Sequence, residues 1–187
     1  MPIAPPPQLK AGLFARGSGT LKPPKKTATG APPPKGPDGV RIEHRIGIQA
    51  PAEVIWEIIA DLPHWKDWNP LYTAASGQIR IGSQLEMTLA LPGDQPRQIQ
   101  PVVLDWVPNE QLQWKLRMLG GLVKNTRYIE IENLAEASCI VANGEFIGGL
   151  LGPSGAKRMG RSVYRGFLAM NEALKARAEA RWAAAKD

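Results

Sequence analysis

Apolar and charged residues alternate along RIEHRIGIQ, residues 41–49, where Ile42, Ile46 and Ile48 share a side, and this period of two predicts a strand. The period then lengthens. Val54, Ile55, Ile58, Ile59 and Leu62 recur at helical spacing after Pro51, which suits a first helical turn, with Glu53 near the positive helix end. An amphipathic helix is therefore predicted over 51–60. Pro63 interrupts it and Pro70 ends the short segment after it, so LPHWKDWNP (62–70) has room for about two helical turns at most.

Beyond residue 78 the period returns to two. A short strand is expected over 79–81, then a Gly82-Ser83 turn, then LEMTLAL (85–91) with Leu85, Met87, Leu89 and Leu91 on one face. Pro92-Gly93-Asp94 reads as a turn. Residues 98–107 and LQWKLRM (112–118) read as a hairpin across Pro108-Asn109-Glu110, with Leu112, Trp114, Leu116 and Met118 sharing a face. Gly120-Gly121 precedes TRYIEIEN (126–133), and a turn near Ala135 leads into ASCIVANGEF (137–146). After the glycine-rich GGLLGPSG comes a long helix, 156–180, whose Val163, Phe167, Met170, Leu174 and Ala178 form one apolar stripe. Strand, two helices, five or six antiparallel strands and one long helix make an α+β chain. A strongly bent antiparallel sheet wrapped around the terminal helix fits that order and leaves a tapered cavity between them.

Charge changes the domain picture. Residues 1–40 hold six basic side chains against Asp38 alone, and ten of the eighteen prolines. Too little apolar surface remains there to offset chain entropy, so 1–40 reads as a disordered, basic, Pro/Gly-rich tail. Weak contact of this tail with an anionic membrane is a partner expectation; sequence-specific nucleic-acid binding is not. A partner-binding role for the proline-rich tail is the third option after carrier and enzyme. Residues 41–182 form the folded domain, with 183–187 as a disordered end. The body holds seventeen basic against sixteen acidic side chains and is nearly neutral. No stretch approaches the roughly 18 apolar residues of a membrane span. With Cys139 as the single cysteine, a cytoplasmic location is expected.

Most candidate chemistry fails on spacing. In GLLGPSGAK, Ala156 separates Gly155 from Lys157, so the phosphate-cradling pattern is broken. Glu130 and Glu132 alternate with Ile129 and Ile131, which places the isoleucines inward and the acids in water. His64 and His44 stand alone, short of the three or four ligands of a zinc site, so neither a metal nor a cofactor is expected. Cys139 reads as a small buried hydrophobe. One polar set survives: Arg127 shares the inward side of Ile129 and Ile131, and Asn143 and Glu145 of the next strand could face it. A hairpin turn centred near Glu136 sets Arg127 opposite Glu145; a slip of one residue removes the pair. A buried pair there would orient a ligand's polar head, while a salt bridge at the rim is the alternative.

WNPL after the short helix, the QLQW strand start, GEFIGGLLGP and FLAMNEALKARAE, in that order over about 41–180, resemble the START-like (SRPBCC) superfamily, most of all its polyketide cyclase/dehydrase and lipid-transport branch. The resemblance implies the helix-grip fold and a deep apolar cavity. It places Trp68-Asn69-Pro70 at the cavity's lid or closed end, matches Glu145-Phe146 to the family's Glu-Phe, and puts Phe167, Asn171 and Leu174 on the inward stripe of the last helix. Arg127 stands where many relatives carry an inward histidine, which puts histidine-based chemistry in doubt here. The expected ligand-binding set is Trp68, Leu85, Met87, Leu89, Trp114, Leu116, Arg127, Ile129, Ile131, Val141, Asn143, Glu145, Tyr164, Phe167 and Asn171. No complete catalytic constellation accompanies them. The reading is a carrier or sensor of a hydrophobic small molecule such as a lipid, quinone or polyketide, with a cyclase or dehydratase acting in the same cavity as the alternative. For the enzyme, Arg127, Glu145, Asn143 and Tyr164 are the polar candidates.

Overall fold

A computed structural model describes residues 39–186; the expectations for the rest of the tail lie outside the described residues. Strand β1 (Val40–Ile48) leads through Pro51, whose backbone is extended, into helix α1 (Ala52–Ala60), which buries Ile55, Ile58 and Ile59. A short 3-10 helix (Leu62–Asp67) comes next, with Pro63 in its first turn. Then come β2 (Tyr72–Ser76), β3 (Glu86–Leu89), β4 (Arg97–Ile99), β5 (Val102–Val107), β6 (Gln111–Met118), β7 (Val123–Ala135) and β8 (Ser138–Gly148). Helix α2 (Gly152–Ala184) closes the chain.

The long C-terminal helix against a large antiparallel sheet is the layering that the residue pattern predicts and the helix-grip fold that the resemblance implies. Five strands run in the order β1-β8-β7-β6-β5, and three more in the order β2-β3-β4. Backbone bonds from Leu85 N–H to the Pro101 carbonyl (2.8 Å) and from Val103 N–H to the Ser83 carbonyl (2.9 Å) tie the small sheet to the edge of the large one. The apolar stripe of α2 is buried against β1, β8 and α1, with Met170, Leu174 and Ala178 fully enclosed. Met170 and Leu174 each contribute about 1.5–3 kcal/mol by leaving water, and the Ala178 methyl less. Gly166 allows the close approach, since a Cβ there would lie 2.7 Å from Leu71 Cδ1.

Three expectations change. The predicted strand over 79–81 is a turn with Ile81 exposed, while the unpredicted β2 forms just before it. The predicted strand over 98–107 is two strands in two sheets, β4 and β5, divided at Pro101. Proline has no N–H for a ladder, and here its carbonyl serves the joining segment instead. Finally, α2 is longer at both ends than 156–180. It starts at Gly152-Pro153, where proline is tolerated in the first turn, and passes the expected domain boundary at 182.

Candidate functional site

A cavity of about 700 Å³ lies between the first half of α2, the small sheet and strands β6 to β8. Its walls are mostly apolar, with Leu71, Leu89, Leu91, Leu116, Met118 and Val163 among them. Exposed residues from two turns and from the start of α2 mark its mouth: Asp94, Leu119, Leu151 and Arg158. Buried Tyr72, Trp114, Arg127, Glu145 and Phe167 form its floor.

The floor depends on register. Arg127 of β7 lies directly opposite Glu145 of β8, and Trp114 of β6 opposite Arg127 on the other side. Strand alternation then turns all three toward α2. The Arg127 guanidinium sits 3.7 Å from the centroid of the Phe167 ring, and at 5.7 and 5.8 Å from the rings of Trp114 and Tyr72. This cation–π enclosure compensates part of the lost hydration. Its Nε donates to Tyr72 Oη at 3.0 Å and its Nη1 to the Gly144 carbonyl at 3.2 Å. Among the described residues Arg127 makes no direct salt bridge. Its Nη2 is left without a hydrogen-bond partner in the protein, and so is Glu145 Oε1. Burial pushes the Glu145 carboxyl above its ordinary range, opposed by the charges of Arg127 and Arg97. The Tyr72 phenol is raised for the same reason, with Arg127 pulling it back through its charge and its hydrogen bond. The floor thus offers a charged donor and a carboxyl biased toward its neutral form, both facing an apolar volume.

Of the fifteen residues expected at the site, Leu89, Trp114, Leu116, Arg127, Glu145 and Phe167 line this cavity. Leu85, Met87, Ile129, Ile131 and Val141 lie in the main core outside the lining; β7 and β8, which carry the last three, pack there against the helices. Asn143 is fully buried outside the lining, with neither side-chain atom paired. Asn171 is also outside it; its Nδ2 donates to His44 Nδ1 at 2.9 Å and to the His44 carbonyl at 3.0 Å. Tyr164 is 44% exposed and packs edge-on against His44, one position off the stripe that faces the cavity. Trp68 is half-buried and meets Trp65 edge to face. Trp65 takes the enclosed place expected of Trp68: it is fully buried, and its Nε1 donates to the Ile59 carbonyl at 3.0 Å. His64 is exposed beside Asp61. Glu130 and Glu132 face outward, and Cys139 is buried, as their strand positions require.

Tyr72, Leu71, Arg97 and Asn125 are site residues that sequence reasoning missed. Asn125 was accessible to it, lying two positions before Arg127 on the same strand face. Tyr72 reaches Arg127 across 55 positions, and no local pattern announces that contact.

An antiparallel sheet closed by a long terminal helix around a cavity is the helix-grip arrangement of START-like, or SRPBCC, proteins, the class to which the family match assigns this chain. More narrowly, the chain belongs to the polyketide cyclase / dehydrase and lipid transport family, whose model matches residues 39–179. Comparison with curated proteins finds no match. Among solved structures, the Zhui aromatase/cyclase from Streptomyces sp. R1128 superposes with a TM-score of 0.63 at 16% identity, covering 76% of this chain and 94% of that one. A START superfamily protein from Mycobacterium smegmatis gives 0.55 at 22% identity, covering 77% and 97%. Norcoclaurine synthase from Thalictrum flavum, in complex with dopamine and hydroxybenzaldehyde, gives 0.55 at 22%, covering 73% and 84%. At these identities the likeness is one of fold. No helix among the described residues is long and apolar enough to cross a membrane.

Proposed function

We propose that this chain binds a hydrophobic small molecule, such as a lipid, quinone or polyketide, in the cavity as a cytoplasmic carrier or sensor. The observation that carries the reading is the pair of unpartnered polar atoms, Arg127 Nη2 and Glu145 Oε1, at the floor of an apolar volume of about 700 Å³. Buried polar groups are ordinarily paired, so a donor and a carboxyl left open in one place fit a ligand's polar end. The Arg127 guanidinium is a donor, and an acceptor-rich head such as a ketone, quinone oxygen or carboxylate suits it, with the Glu145 carboxyl beside it on the neighbouring strand. Tyr72 holds the guanidinium in place, and the leucine-rich walls take the rest of the molecule.

A second reading, a cyclase or dehydratase, draws on Glu145. A carboxyl with a raised pKa is suited to deliver a proton to a bound carbonyl. The similarity in fold to an aromatase/cyclase and to a synthase that holds dopamine and hydroxybenzaldehyde supports the same idea. Native mass spectrometry of gently purified full-length protein is the test. A retained apolar ligand, unchanged on prolonged incubation, is expected for the carrier, and its conversion to a new mass for the enzyme. Absence of any retained ligand, together with no binding of lipophilic fluorescent probes, overturns both.

A further inference from the structure

The mouth of the cavity carries leucines that the fold leaves in water. Leu119 is 68% exposed, Leu122 44%, Leu150 83% and Leu151 40%. They sit on two adjoining turns, one between β6 and β7 and one between β8 and α2. The Leu151 N–H donates to the Leu122 carbonyl at 3.0 Å, and Gly149, with a positive φ of 87°, lets the turns meet where a Cβ would lie 2.6 Å from the Leu122 oxygen. Leu119 itself holds a φ of 53°, left-handed backbone that a bulky side chain adopts only under strain. Leu119 and Leu151 also line the cavity, so the apolar lip is continuous with the apolar interior.

A second, independent observation is the charge around that lip. No acid occurs between Glu110 and Glu130, nor between Glu145 and Glu172, the two stretches that build it. Arg117 and Lys124 are both exposed and lie directly opposite each other on β6 and β7, a like-charge cross-strand pair that is unfavourable in isolation. Lys157, Arg158, Arg161 and Arg165 crowd the first half of α2. Among the described residues none of these six cations forms a salt bridge. Asp94 is the acid among the mouth residues.

From the exposed leucines and the uncompensated basic ring we infer that the cavity mouth docks on an anionic lipid bilayer. Leu119, Leu122, Leu150 and Leu151 enter the headgroup–acyl boundary, and the surrounding cations meet lipid phosphates. In that position a lipophilic ligand passes between bilayer and cavity without crossing water. This role rests on the reading of the cavity as a hydrophobic-ligand site. It differs from tail-mediated membrane contact, because the contact surface here is the folded mouth.

Full-length protein is sedimented with vesicles of phosphatidylcholine alone and of phosphatidylcholine with a minority of phosphatidylglycerol. Binding to the anionic vesicles, weakened by salt, is expected. The double variant Leu122→Asp/Leu150→Asp, altered only at exposed positions outside the cavity lining, is expected to lose at least about tenfold in partition. Arg117→Glu is expected to lose about fivefold or more. Lipophilic-probe binding without vesicles stays unchanged in both variants, and Arg117→Glu, which places an acid opposite Lys124, melts no lower than the parent chain. The inference is overturned if the leucine variant partitions like the parent chain, which assigns the binding to the basic tail. It is equally overturned if the parent chain ignores anionic vesicles, even where the leucine patch captures a protein. If the parent chain binds no lipophilic probe while the leucine variant still loses vesicle binding, the docking surface stands and the cavity reading fails.

Discussion

The aromatic corner formed by the 3-10 helix and Asn69-Pro70 touches the cavity floor, yet the two treat polar atoms differently. Trp65 packs 5.5 Å from Tyr72 and 6.5 Å from Trp114 between ring centroids, directly behind two floor residues. In the corner, Trp65 Nε1 is bonded to Ile59, and Asn69 Oδ1 accepts from the Leu71 and Tyr72 N–H groups at 3.0 Å each; Asn69 Nδ2 alone is left over. In the floor, Arg127 and Glu145 line the cavity and each keeps a buried polar atom without a partner in the protein. Neighbouring layers therefore divide the work: one commits its polar atoms to its own backbone, the other leaves them for something outside the chain.

The largest way to break this division is Trp65→Ala, expected to cost about 3–5 kcal/mol in denaturant unfolding. A near-neutral result would mean that the corner does not support the floor. Next, Arg127→Ala is expected to weaken lipophilic-probe binding by about 1.5–3 kcal/mol, the value of a charged hydrogen bond, in a fluorescence titration. Asn69→Ala should cost about 1–2 kcal/mol of stability, since two backbone N–H groups lose their acceptor, and leave probe affinity nearly intact. Glu145→Gln sharpens the contrast through pH. A carboxyl whose folded pKa is raised above 4.5 binds protons more tightly folded than unfolded, so it makes stability fall as pH rises from 4.5 through the folded value. The glutamine variant should remove that fall in thermal melts taken across the window. Smallest of all, His64→Ala should change stability by less than about 0.5 kcal/mol, because His64 and Asp61 are both exposed.

Much of this contrast was legible in the residues. The stripe of α2 follows from a period of 3.6, and Arg127 opposite Glu145 from a period of two once the hairpin turn is centred near Glu136; both are present in the structure. The corner's location was legible as well, but not which tryptophan it encloses; near two prolines, helical spacing does not assign sides to Trp65 and Trp68. Strand β2, YTAAS, lacks the alternation that marks strands, and its place comes from pairing with β3. Pro101 signalled a break within 98–107, yet only tertiary hydrogen bonds decide that the chain changes sheets there. The lip leucines were hidden because apolar residues beside strands read as core. Their exposure depends on where two turns from distant parts of the chain come together.

The register of β7 and β8 also governs how the floor can change over time. The strands are joined beyond Ala135 and Ser138 by a turn at Glu136-Ala137, with a pairing irregularity between Asn133 and Ala135, far along the hairpin from Arg127. A shift of one position in β7 and in β8 would turn Tyr128 and Gly144, themselves paired, toward the cavity in place of Arg127 and Glu145. The ionic character of the pocket is thus encoded as a phase, held by a short connection that is not part of the cavity lining. An insertion or deletion of one residue at that connection would slide β8 against β7, which β6 holds in place, and turn Glu145 away from Arg127 without replacing a single floor residue.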